Sequence, residues 1–149
     1  MANPEKQTLG PWRIAGLALV FVWFFVGGIG HFVISRVFVG VVPDYVPWHQ
    51  EVVWFTGACE IAGALALLYK PLRRIAGWCL IALAVCVTPV HIEMLRHADR
   101  YRSLGDAVLW GRLLFQPVFI VIVWWATKPI SPEPGRTGAP AAGPPAETR

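Results

Sequence analysis

LLYKPLRRIAGWCLIALAVCVTPVHIEML, residues 67–95, contains the architectural decision of the whole chain. One apolar run ends at Leu67-Leu68-Tyr69, a basic turn of Lys70, Pro71, Leu72, Arg73 and Arg74 follows, and a second apolar run extends from Ile75 to Leu95. At about 1.5 Å rise per residue, roughly twenty apolar residues cross a hydrocarbon core about 30 Å thick. A turn this short between two such runs predicts an antiparallel pair of membrane-spanning helices. Comparable runs on either side give four spans, about 12–38, 52–69, 75–95 and 107–127. The expected fold is an all-α, integral membrane four-helix bundle over residues 12–128. An N-terminal segment, 1–11, precedes it, and a Pro- and Gly-rich tail, 129–149, without apolar periodicity reads as disordered.

Composition agrees with this reading. The chain is 56% hydrophobic and 15% charged, too few charges to cover a soluble domain of 149 residues. The excess of Lys and Arg over Asp and Glu, +4, is not gathered on one basic face, so nucleic acid is not an expected partner and membrane lipids are. A cleavable signal peptide is the rival for the first run. Its apolar stretch is longer than a signal core, and no clean small-x-small site separates Gly28-Ile29-Gly30 from His31-Phe32-Val33, which favours a retained helix.

Charges beside the spans set an expected topology. Lys6, Arg13, Lys70, Arg73, Arg74 and Lys128 flank one side; Arg36, Arg96, Arg100 and Arg102, partly balanced by Asp44, Asp99 and Asp106, flank the other. The positive-inside rule puts the first side, with both termini, in the cytoplasm. The opposite loop, GVVPDYVPWHQ (Gly40 to Gln50), is stiffened by Pro43 and Pro47 and is amphipathic, suiting either a cap on the outer mouth of the bundle or an interfacial connector. Small residues (Gly27, Gly28 and Gly30 in the first span, Gly57 through Ala66 in the second) allow close helix contact, while Pro89 and Pro117 each remove a backbone hydrogen bond.

Polar side chains inside the spans are the candidate site. His31, Glu60, His91, Glu93, Arg112 and Gln116 all fall in the outer half of the bundle, where they should face one another or a wet cavity. A carboxylate at Glu60 needs pairing, protonation or water, and Arg112 is the expected partner in a structural Glu60–Arg112 ion pair whose fork also reaches Gln116. That pair either ties two helices together, lines a pocket or serves proton transfer. His31, Glu60, His91, Arg112 and Gln116 are the ligand-binding candidates. His31, His49 and His91 with a carboxylate would suit zinc or iron, but no short ligand spacing supports a site, and no metal is expected. Cys59, Cys79 and Cys86 form no CxxC pair and read as small buried hydrophobes or, in the rival reading, a redox pair involving Cys59. No phosphate loop, GxGxxG, HExxH or GxSxG is present.

Taken together, Gly27 to Phe32, Val42 to His49, Phe55 to Ala64, Arg73 to Gly77, Thr88 to Met94 and Gly111 to Gln116 resemble the DoxX-like membrane family, within the DoxX/DoxD group, over roughly Ile14 to Thr127. The resemblance implies a bacterial inner-membrane protein, an accessory or small-molecule-binding component of a redox-associated membrane assembly, with a membrane protein partner. No catalytic residue transfers with it. The alternatives are a quinone-linked membrane oxidoreductase, in which Arg112 holds an anionic group or quinone oxygen and His91 or Glu60 handles protons, and a non-enzymatic assembly protein. No resident cofactor is expected; quinone enters with the oxidoreductase reading.

Overall fold

The computed structural model describes residues 9–101 and 105–129, leaving aside the side chain of Asp106. Most of the expected 1–11 and 129–149 segments, with Lys6 and Arg102, lie outside the described residues. The elements are α1 (Pro11–Val33), α2 (Ser35–Val39), α3 (His49–Leu68), α4 (Arg73–Arg96), a 3-10 turn (Ala98–Tyr101) and α5 (Asp106–Thr127). All are helical, with no strand among the described residues, and α1, α3, α4 and α5 are each long and apolar enough to cross a membrane. They form a ring in the order α1–α3–α4–α5, with the α1–α5 seam the most sparsely packed.

One end of the bundle is dry and capped. Val20, Phe24, Ala64, Leu67, Ala76, Leu80, Phe119 and Val123 make a continuous core there. Close approach is built into the backbone: a methyl group on Gly63 would meet Leu80 Cδ2 at 2.5 Å, and one on Gly77 would collide with Thr127. Without a hydrophobic driving force between helices in lipid, such contacts supply the packing energy. Arg13 Nε–H donates to Ala126 O (3.2 Å) at the end of α5, and Arg73 Nε–H donates to Leu67 O (3.0 Å) at the end of α3. Each guanidinium thus satisfies a free carbonyl and puts positive charge on a helix C-terminus. Outward faces remain apolar, as at Val33, Phe55, Ile75 and Val121, which is what a lipid solvent requires.

The first span departs from the continuous 12–38 reading. Its helix stops at Val33, Ile34 leaves the helical region (φ −120°, ψ 38°), and α2 begins at Ser35. This break folds Phe38 back onto His31, with ring centroids 4.1 Å apart, and Gly30 leaves room for the returning ring. His31, Ser35 and Arg36 interrupt the apolar run here, but their spacing does not specify a reversal.

The loop after α2 is tied down at several points. Tyr101 Oη–H donates to Gly40 O (3.1 Å), His49 Nε2–H donates to Pro43 O (3.1 Å), and Arg100 lies 3.7 Å from Asp44. Trp48, at φ 55° and ψ 50°, adopts the left-handed conformation that is uncommon for a bulky residue and turns the chain into α3.

Candidate functional site

Beyond the dry core, the helices part around a cavity of about 870 Å³. Phe24 and Phe119 form its floor, where they also join the core, and Val41, Val42, Pro43 and Val46 of the tethered loop lie over it. His31, Glu60, His91, Arg112 and Gln116 all line it, one or two from each of the four long helices. The rest of the wall is predominantly Val, Leu, Ala and Phe. Such a volume with a few converging polar groups has the character of a small-molecule site.

The wall is unequal. Lining residues from α3 and the loop are buried or half-buried, whereas Val22, Trp23 and Val26 of α1 and Arg112 and Phe115 of α5 are exposed. The cavity therefore opens sideways at the loosely packed α1–α5 seam, on a flank that lipid covers. Trp23 and Phe115, ring centroids 5.1 Å apart, stand at that opening. Cys86 on α4 is a further exposed lining residue.

Glu60 and His31 meet where α1 and α3 approach most closely. A methyl on Gly28 would lie 2.8 Å from Gly57 O, and one on Gly57 would lie 2.5 Å from His31 Cβ. Across this crossing, His31 Nε2 is 3.7 Å from Glu60 Oε1. The other ring nitrogen, Nδ1, donates its hydrogen to Val53 O (2.9 Å), with Thr56 Oγ1 3.1 Å away; the Thr56 hydroxyl in turn donates to Val52 O or Val53 O. Sequence pairs Glu60 with Arg112. In the structure the ion-pair neighbour of Glu60 is His31, and Arg112 lines the same cavity without a carboxylate at ion-pair distance among the described residues. The helical azimuths that decide this are not readable from spacing.

Gln116 works between helices. Its amide N–H groups donate to Ala84 O and to Thr88 Oγ1 (3.1 Å), and Thr88 Oγ1–H also donates to Ala84 O (3.2 Å). This network crosses from α5 to α4 beside Pro89, whose missing N–H deprives Val85 O of its helical donor. His91, by contrast, has a buried Nδ1 with no hydrogen-bond partner, on a ring that shares the cavity wall with Arg112. A buried polar atom without a partner is uncommon and carries a desolvation cost.

Other candidates fall elsewhere. His49 secures the loop, and Glu93 pairs with His97 (2.9 Å), so neither lines the cavity. Among the described residues no three His, Cys, Asp or Glu side chains converge on a metal position. Cys59, Cys79 and Cys86 are free thiols. Cys79 and Cys86, seven positions apart on α4, are separated by about 10 Å along its axis, beyond disulfide reach.

Comparison with known proteins fixes the family. The profile of the Domain of unknown function (DUF8561) matches residues 17–127, most of α1 and all of α3, α4 and α5. The chain belongs to this family. DUF8561 membership, with the curated relative described next, replaces the DoxX-like resemblance and removes the accessory role in a redox assembly that was drawn from it. The relative is Disulfide bond formation protein B of Burkholderia thailandensis, 39% identical over 64 residues, which cover 42% of this chain and 36% of that protein. The chain thus matches little more than a third of that relative's length. No solved structure matches. The motifs behind the DoxX-like reading combine small-residue helix contacts, a Pro-stiffened loop and polar side chains within spans, features that packing in a membrane favours in helical bundles generally.

Proposed function

We propose that this DUF8561 protein is a quinone-linked membrane oxidoreductase whose cavity takes a lipid-soluble quinone. The observation that carries the reading is the convergence of Arg112, His91 and Gln116 on one apolar cavity of about 870 Å³. A quinone has a flat apolar ring, carbonyl oxygens that accept hydrogen bonds and a hydrocarbon tail. Arg112 can donate to a carbonyl oxygen from any of five N–H groups. It would stabilise negative charge developing on that oxygen, with the His91 ring on the same cavity wall. Gln116 keeps α4 and α5 in register beneath them. The sideways opening supports a substrate that arrives from the bilayer.

The relative's name, Disulfide bond formation protein B, suggests a dithiol as electron donor. Oxidation of a dithiol breaks two S–H bonds and forms one S–S bond. The two electrons and two protons released are those consumed when a quinone becomes a quinol. Only one thiol of this chain, Cys86, lines the cavity, so the reactive dithiol belongs to a partner. The expected setting is the bacterial inner membrane, with the Arg13, Lys70, Arg73 and Lys128 end cytoplasmic and the cavity toward the extracytoplasmic side.

The test uses the full chain in proteoliposomes, a short-tailed ubiquinone analogue and dithiothreitol as the dithiol. Saturable binding and dithiol-dependent quinol formation are expected. Arg112→Gln should reduce both, whereas Lys128→Gln, at the opposite end, should change neither. Absence of saturable binding to the unaltered protein would end this reading.

A further inference from the structure

We propose that His31 and Glu60 hold one transferable proton between them and deliver protons to the quinone oxygen. This rests on the quinone reading for its acceptor, although the shared proton itself does not. A backbone carbonyl can only accept a hydrogen bond, so the contact with Val53 O assigns a hydrogen to His31 Nδ1. In neutral imidazole the other nitrogen, Nε2, then carries the lone pair, and it is Nε2 that faces Glu60. The next proton taken up by the pair therefore resides either on the carboxyl, facing a bare Nε2, or on Nε2, facing a carboxylate. A second is opposed because it would leave an imidazolium against a neutral acid in a largely apolar cavity.

The fold holds this arrangement on both sides. Phe38 stacks on the imidazole, Val53 O fixes its tautomer, and Gly28 with Gly57 brings the two helices close enough for the side chains to face each other. Glu60 Oε2 is 3.0 Å from where a methyl on Gly27 would stand, so that glycine leaves room for the carboxyl. The titratable or charged groups facing the same space from other elements are Cys86 and His91 of α4 and Arg112 of α5; α2 and the loop contribute only apolar lining. The 3.7 Å separation is longer than a transfer distance, and catalytic contacts commonly tighten when substrate binds.

Each transfer forms an O–H bond on the quinone and breaks the N–H or O–H bond at the pair. A proton released by the dithiol refills it. Two such cycles, with the two electrons from the dithiol, complete the quinol and return the pair to its starting state.

The first test needs neither a variant nor quinone. Infrared titration of the unaltered protein in lipid, alongside solid-state nitrogen resonance of labelled histidine, should register the Glu60 carboxyl and the His31 Nε2 signals changing together in one step. Assignment uses Glu60→Gln, which should remove the carboxyl band and alter the Nε2 resonance while sparing that of His91. Where that variant does not fold, Glu60→Asp, which shortens the carboxyl by one methylene, should displace both signals together. Independent titration of the two groups would overturn the proposal. With the ubiquinone analogue bound, Glu60→Gln should retain affinity and lose about a hundredfold in quinol formation, the size of a general-acid contribution. Full activity in a folded Glu60→Gln protein would also overturn it. Failure of the unaltered protein to bind the analogue would sink the quinone reading and leave the shared proton to be decided by the titration.

Discussion

The two halves of the bundle use the same four helices for opposite ends. Toward the Arg13 and Arg73 caps, side chains from all four interlock and the core is dry. Toward the Gly40–Trp48 loop α1 and α3 stay crossed at Gly28 and Gly57, but polar groups replace aliphatic ones and a cavity of about 870 Å³ remains among the four long helices. A membrane bundle gains stability from packing density. The loosely filled half therefore costs stability that the dense half offsets. This division predicts that damage to the dry half should read out as unfolding, and damage to the cavity half as lost chemistry in a protein that still folds.

The largest effect is expected at Gly77. Any side chain there strikes Thr127, which is itself buried and bonded to Val123 O (2.8 Å), so Gly77→Leu should leave little monodisperse protein in detergent size exclusion. Leu80→Ala is milder. Leu80 is 1% exposed and fills the space over Gly63, and the cavity left behind should cost about 2 kcal/mol or more in a reversible unfolding assay. The folded fraction of that variant should still bind the quinone analogue normally.

Arg112→Gln should reverse the pattern. With no carboxylate partner for Arg112 among the described residues, stability should stay within about 0.5 kcal/mol of the unaltered protein. Quinone affinity should fall about tenfold, or about 1.4 kcal/mol, in a fluorescence titration. At the small end stands Asp44→Asn. Asp44 and Arg100 are both well exposed, a surface pair of the kind that contributes about 0–1 kcal/mol, and the melting temperature should not move measurably.

Run lengths and the Lys70–Arg74 turn made the four spans legible, because hydrocarbon thickness dictates both. The same reasoning named five polar side chains that share one cavity, His31, Glu60, His91, Arg112 and Gln116, and a sixth, Glu93, that lies outside it. Which polar group meets which was not legible. Glu60 faces His31 rather than Arg112 because a glycine crossing brings α1 against α3, a relation of azimuth and depth that no linear spacing encodes. Nor did the sequence announce the break at Ile34, because the polar Ser35 and Arg36 beyond it are equally compatible with the end of a continuous helix at the membrane surface. The sideways opening was equally hidden, as it follows from how sparsely α1 and α5 meet.

The central claim is that the polar half of the bundle receives a quinone head group, and photo-cross-linking tests it most directly. An azido-substituted ubiquinone analogue, irradiated with the protein in lipid and mapped by peptide mass spectrometry, should label Val22–His31 of α1 and Arg112–Phe119 of α5, with unlabelled analogue competing. Labelling spread over the outward faces of all four helices, or insensitive to competition, would contradict it.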